Sequence, residues 1–215
     1  MTAIHKKYTP FTDLLVILFL LIFPHVSGVP MLLYPALGLL LLWGYGKLTG
    51  RTLSSFGFRW RDCTIKSFLI GCLTGVAYAA LLYWVIGPLL LRITGLPPAN
   101  LKDFYGIREN ITQYIMLMAI AWLWVIPYEE IVFRGYMFTV LRKWFNSFWF
   151  AAIINSVLFA GYHWQEGWSA MITIFIFSLI AVTIYKYSKF NLWYVIFFHA
   201  AYDTVMLTLI RMGYM

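Results

Sequence analysis

Glu129, Glu130, Arg134, His163, His199 and Asp203 are the residues of this chain whose types and spacing could do chemistry. Each lies in, or at the end of, an apolar stretch. A charge placed in hydrocarbon costs roughly 2.5–3.5 kcal/mol on insertion scales. A chain that is 62% hydrophobic and 11% charged had room to avoid that cost. Carboxylates and imidazoles together are the equipment of acid/base hydrolysis, in which one group takes a proton from water and another returns it to a leaving group. In Glu129-Glu130-Ile131-Val132-Phe133-Arg134, the i,i+4 spacing sets Glu130 and Arg134 on one helical face as an ion pair. Glu129 is turned about 100° away and left to face a cavity, where a poorly solvated carboxylate suits a general base. The competing structural reading makes both glutamates members of a buried ion-pair network. His163 ends the stretch Phe159-Ala160-Gly161-Tyr162-His163. His199 and Asp203 share a face by their i,i+4 spacing. Asp203 could orient His199, both could face a reacting group, or the pair could glue helices together. Spacing alone does not choose.

These residues need a scaffold of helices. Mean hydropathy is +0.79 and apolar residues far exceed the roughly 45–50% of soluble domains. Apolar runs of about 20 residues recur, which predicts an all-α, polytopic transmembrane bundle of about seven helices with an intramembrane polar site. The segments are expected near 11–26, 29–46, 67–91, 111–141, 147–163, 168–185 and 192–210, forming one membrane domain over 1–215. No linker or internal repeat divides it. The first segment is short, with a basic start at Lys6 and Lys7, and Val26-Ser27-Gly28 loosely resembles a cleavage site. An uncleaved signal-anchor is expected, because the next helix follows at once. Eleven Lys/Arg fall in the N-terminus, the 47–66 loop, Arg142-Lys143 and Lys186/Lys189; Arg92, Lys102, Arg108 and Arg211 fall on the opposite side. The positive-inside rule puts the N-terminus in the cytoplasm. It also gives the net charge of +8 a membrane origin, so no nucleic-acid partner is expected. Trp43, Trp144, Trp164, Trp168 and Trp193 are expected as interfacial anchors. Gly71, Gly75 and Ala79 form a small-xxx-small packing face. Cys63 and Cys72 are no disulfide framework.

The fourth segment is too long: 111–141 would span roughly 46 Å, against a hydrocarbon core of about 30 Å. Pro127 interrupts it just before the glutamates. A kink or break is expected there, with Glu129 and Glu130 near a new helix start and its partial positive charge.

Together the motifs resemble the CPBP (CAAX protease and bacteriocin-processing, or Abi) family, which includes the type II CAAX prenyl endopeptidases. The family pattern is Glu-Glu-x-x-x-Arg, then Phe-x-x-x-His, then His-x-x-x-Asn or Asp. It is met by Glu129, Glu130 and Arg134, by Phe159 and His163, and by His199 and Asp203. Phe133 and Gly135 around the arginine are also similar. The resemblance covers about 125–205, so a catalytic core over 111–210 is expected after N-terminal helices (1–110) with little motif content. It implies an intramembrane endopeptidase, a hydrolase acting on a peptide or membrane-protein substrate within lipid, in a bacterial inner membrane. Asp203 stands where the eukaryotic prenyl endopeptidases have Asn, which leaves a prenylated substrate open. The expected roles are Glu129 with His163 activating water, Asp203 orienting His199 as acid or oxyanion donor, and Glu130 and Arg134 as structural support. No cofactor is expected to be required. The alternative is zinc on Glu129, His163 and His199, since two His and a carboxylate form a catalytic zinc set, although the His-Glu-x-x-His helix is absent. A second class also stays open: a non-catalytic immunity or scaffold protein, or an ion- or proton-translocating one, using the same polar cluster. Oligomeric state is not legible.

Overall fold

Short polar residues punctuate the apolar runs, and they set where the helices begin and end. Thr64 and Ser67 form a reciprocal capping box, and Asn110, Ser147 and Asn191 accept backbone N–H groups at later helix starts. Such caps satisfy donors that no helical carbonyl can reach. In the computed structural model, which describes residues 10–26, 29–30 and 32–215, the helices are α1 (Pro10–Ile22), α2 (Leu33–Thr49), α3 (Ile65–Thr94), α4 (Ile111–Phe145), α5 (Phe148–Tyr162), α6 (Trp168–Tyr187) and α7 (Leu192–Arg211). Lys6, Lys7, Ser27 and Gly28, on which the signal-like reading rests, lie outside the described residues. The architecture is an all-α membrane bundle. Four helices, α3, α4, α6 and α7, are long and apolar enough to cross a membrane, while α1 and α5 are shorter apolar helices.

Packing follows the small residues. A Cβ on Gly71 would stand 2.6 Å from the Phe197 Cβ, and one on Gly75 would stand 2.3 Å from the Phe198 carbonyl. The small face of α3 therefore lets it lie directly against the backbone of α7, as close packing in lipid requires. Around α4 the core is aromatic, with Phe133, Phe159, Phe177 and Phe198 all buried. One expected anchor is corrected here. Trp193 is buried against Phe58 and Trp60, and donates to the Arg59 carbonyl at 2.9 Å. Trp43, Trp164 and Trp168 are exposed.

A second polar cluster fastens the other end of the bundle. Asp13, fully buried in the first turn of α1, accepts from Arg51 at 2.8 Å, from Tyr136 at 2.9 Å and from Tyr45 at 3.0 Å. Four separate parts of the chain meet on one carboxylate, so its charge is both paired and hydrogen-bonded, as burial demands.

Of the kink or break expected at Pro127, the break does not occur. α4 runs on, and the proline is accommodated by widening. Ala121–Val125 and Ile131–Met137 are π-helical turns on either side of the single α-helical turn Ile126–Glu130. Proline has no N–H to give and its ring excludes the carbonyl four residues back; a π turn relieves that clash without ending the helix. Glu129 and Glu130 are therefore mid-helix, and the expected helix-start charge beside them is absent.

Candidate active site

Glu129 and Glu130 are adjacent but have opposite surroundings. Glu130 is fully buried, and its Oε1 accepts from Arg134 Nη1 at 3.1 Å and from His199 Nδ1 at 2.7 Å. The Arg134 guanidinium lies 4.0 Å over the Phe159 ring. Glu129 points about a third of a turn away, is 6% exposed and accepts no hydrogen bond among the described residues. It faces a cavity of about 520 Å³. The His199 Nε2 is 4.0 Å from the Glu129 Oε2 and 3.6 Å from the Asp203 Oδ2.

This geometry corrects one expected role. Asp203 lies beyond hydrogen-bond distance of His199, and the contact that orients the imidazole comes from Glu130. A carboxylate that only accepts fixes the proton on Nδ1 and leaves Nε2 toward the cavity. Glu130 is thus more than a counter-ion to Arg134. His163, at the end of α5, is held in a parallel way. Its Nδ1 lies 2.9 Å from the Phe159 carbonyl, which can only accept, so Nε2 is again the free nitrogen. Glu129, His163, His199 and Asp203 all line the one cavity, having come from α4, the end of α5, and α7.

Further residues shape the site. Asn155 of α5 donates at 2.9 Å to the Phe133 carbonyl inside the second π turn of α4, supplying a partner where the backbone pattern is irregular. Its sequence signal is an amide inside an apolar helix. Asp103 and Glu166 line the cavity mouth, from the α3–α4 and α5–α6 connections. Asn100 ties those connections together, donating from its backbone to the Glu166 carbonyl at 2.8 Å and from its side chain to the Gln165 carbonyl at 3.3 Å. Burial pushes the Glu166 carboxyl up to about 7, and the nearby Asp203 and Asp103 carboxylates add to the shift. Among the described residues, no lysine or arginine lines the cavity.

Among the described residues, no three His, Cys, Asp or Glu side chains are grouped to hold an ion; the bonds to Glu130 and the Phe159 carbonyl hold Nδ1 of each histidine and leave Nε2 open, the orientation a metal-ligating imidazole also takes.

Compared with known proteins, residues 111–205 match the model of the family described as type II CAAX prenyl endopeptidase Rce1-like. No curated protein and no solved structure matches the chain.

Proposed function

From the premise that residues 111–205 belong to the Rce1-like family of type II CAAX prenyl endopeptidases, we propose that the chain is an intramembrane endopeptidase in which Glu129 activates the attacking water. The observation that carries this is the state of Glu129. It is a buried carboxylate with no hydrogen bond among the described residues, on a cavity wall, with an imidazole nitrogen 4.0 Å away. A carboxylate so placed can take a proton from water as the oxygen attacks the peptide carbonyl. His163, across the cavity, helps position that water. His199 serves the leaving group. With Glu130 accepting from Nδ1, Nε2 is the nitrogen that can take up a proton, and that proton passes to the departing amine. Asp203 Oδ2 lies 3.6 Å from Nε2, on the side where that proton is exchanged.

The cavity is lined by His25, Asp103 and Glu166, which follow α1, α3 and α5. It therefore opens on the side opposite the Lys/Arg-rich connections, the extracytoplasmic side under the positive-inside rule. Its mouth offers carboxylates and, among the described residues, no lysine or arginine, which matches an uncharged or basic substrate stretch better than an acidic one. The test is an N-terminal proteomic comparison of membranes carrying wild type or Glu129→Gln. New termini should appear with wild type only. Cleavage that persists at a near-normal rate in Glu129→Gln but disappears in His163→Ala would assign the base to the histidine and overturn this mechanism.

A further inference from the structure

A second cavity, of about 370 Å³, lies at the opposite end of the bundle, where the α2–α3 connection meets the ends of α4 and α6. Its wall carries Arg59, Arg142 and Lys143 and, among the described residues, no acidic one. Arg59 also pairs with Asp62. Arg142 is exposed, has no carboxylate partner among the described residues, and stacks 5.0 Å from the Phe190 ring centroid. The hydroxyl-bearing Ser54 completes the rim.

The walls are preformed. Tyr185 donates at 2.8 Å to the Phe56 carbonyl, and the Leu192 N–H donates to the Gly57 carbonyl at 3.2 Å. A Cβ on Gly57 would stand 2.4 Å from the Phe190 carbonyl. Lys189 and Phe190 both hold left-handed backbone, with φ of 56° and 59°, a conformation bulky side chains rarely adopt. Such strain persists where the surroundings impose it, and it collects at binding sites. Here it turns the Phe190 ring onto the cavity beside Arg142.

We propose that this cavity binds the phosphate-bearing head group of an anionic phospholipid, with Arg142, Lys143 and Arg59 as its cations. Two features favour a lipid over a free anion. The site sits at the ends of helices that cross the membrane, where head groups lie, and its floor is aromatic, formed by Phe138, Tyr185 and Phe190. Basic pockets between transmembrane helices at that level take anionic head groups.

The full chain, purified in neutral detergent, tests this by its melting temperature during titration with phosphatidylglycerol, phosphatidylcholine or inorganic phosphate. Phosphatidylglycerol should raise the melting temperature with dose, and phosphatidylcholine should not. Each charge removed, in Arg142→Gln and then Arg142→Gln with Lys143→Gln, should weaken the apparent affinity about five-fold. Arg142→Lys should restore most of it, and Arg92→Gln, at the far end of α3, should leave it unchanged. Should the double variant fail to fold, the exposed Arg142→Gln decides alone. A phosphatidylglycerol response that ignores Arg142 would overturn the proposal. So would inorganic phosphate that matches and competes with the lipid, which would mark a soluble-anion site.

Discussion

At the scale of the residue, the two adjacent glutamates divide the work by where they point. Glu130 holds Arg134 and His199 together inside the core, and removing its charge leaves a buried guanidinium unpaired. Breaking a buried pair by removing one partner costs about 3–5 kcal/mol. Glu130→Gln should therefore lower the melting temperature far more than Glu129→Gln, whose side chain faces a cavity and pairs with nothing by hydrogen bond. Thermal melts of the two variants in one detergent check the order, and equal losses would refute the division of roles. Glu166 allows a prediction in pH. Its carboxyl ionises near 7 in the fold, against 4.5 ordinarily. Below about 4.5 both folded and unfolded chains hold the proton and the residue contributes nothing. As pH rises to about 7, the unfolded chain releases the proton more readily, and stability is lost. Glu166→Gln should match wild type at low pH and gain on it through that window, by an amount reduced by solvent at the mouth. A difference that stays constant with pH would remove Glu166 as the cause.

Much of this chemistry is legible in order along the chain, because a charged residue in an apolar run is rare enough to stand out. Glu129, Glu130, Arg134, His163, His199 and Asp203 all do. The partnerships are less legible. Glu130 and His199 are 69 positions apart, so the i,i+4 neighbour Asp203 looked the better orienter for His199; only the packing of α4 on α7 decides otherwise. Asp13 and Arg51 pair for the same long-range reason, and Glu166 reads as an ordinary loop acid until Asn100 ties two connections together.

At the scale of the element, the α3–α7 seam controls the site from behind. Gly75 touches the Phe198 carbonyl, next to His199, and backbone cannot swing aside as a side chain can. Gly75→Leu should force α3 off α7, destabilise the protein by about 1–3 kcal/mol or more, and shift His199 away from Glu130. Gly44→Leu, with no atom within 4 Å of the added Cβ, is the control and should be nearly silent. Melting temperature and cleavage rate measured on both would show it; a tolerated Gly75→Leu would mean that the seam yields. Helix positions were readable from hydropathy to within a few residues, since apolar length is a strong signal. The continuity of α4 was not, because propensity places a proline as a break and carries no information about two wide turns that absorb it.

For the whole molecule, the basic connections lie at one end and the cavity mouth at the other, so topology and substrate access are one question. Cys63 is exposed in the basic α2–α3 connection, whereas Gln165 is exposed at the mouth. In intact cells, a membrane-impermeant maleimide should leave Cys63 unlabelled, and should label Gln165→Cys in a chain whose two native cysteines are replaced. Labelling of Cys63 from outside would invert the topology and turn the cavity to the cytoplasm.

The two π turns of α4 act as register shifts. Each adds one residue to a turn, so the segment Ile126–Glu130 is out of phase with the helix before it, and the helix after Met137 is shifted again. The carboxylates thus owe their direction to two one-residue insertions rather than to helical periodicity. Deleting a single residue from the Ala121–Val125 turn, while leaving every polar side chain intact, would remove the added residue and rotate Glu129 by about 100° relative to the residues before it. In such a chain the catalytic alphabet is complete and its phase is lost. An alignment of polar motifs alone would still score it as a protease.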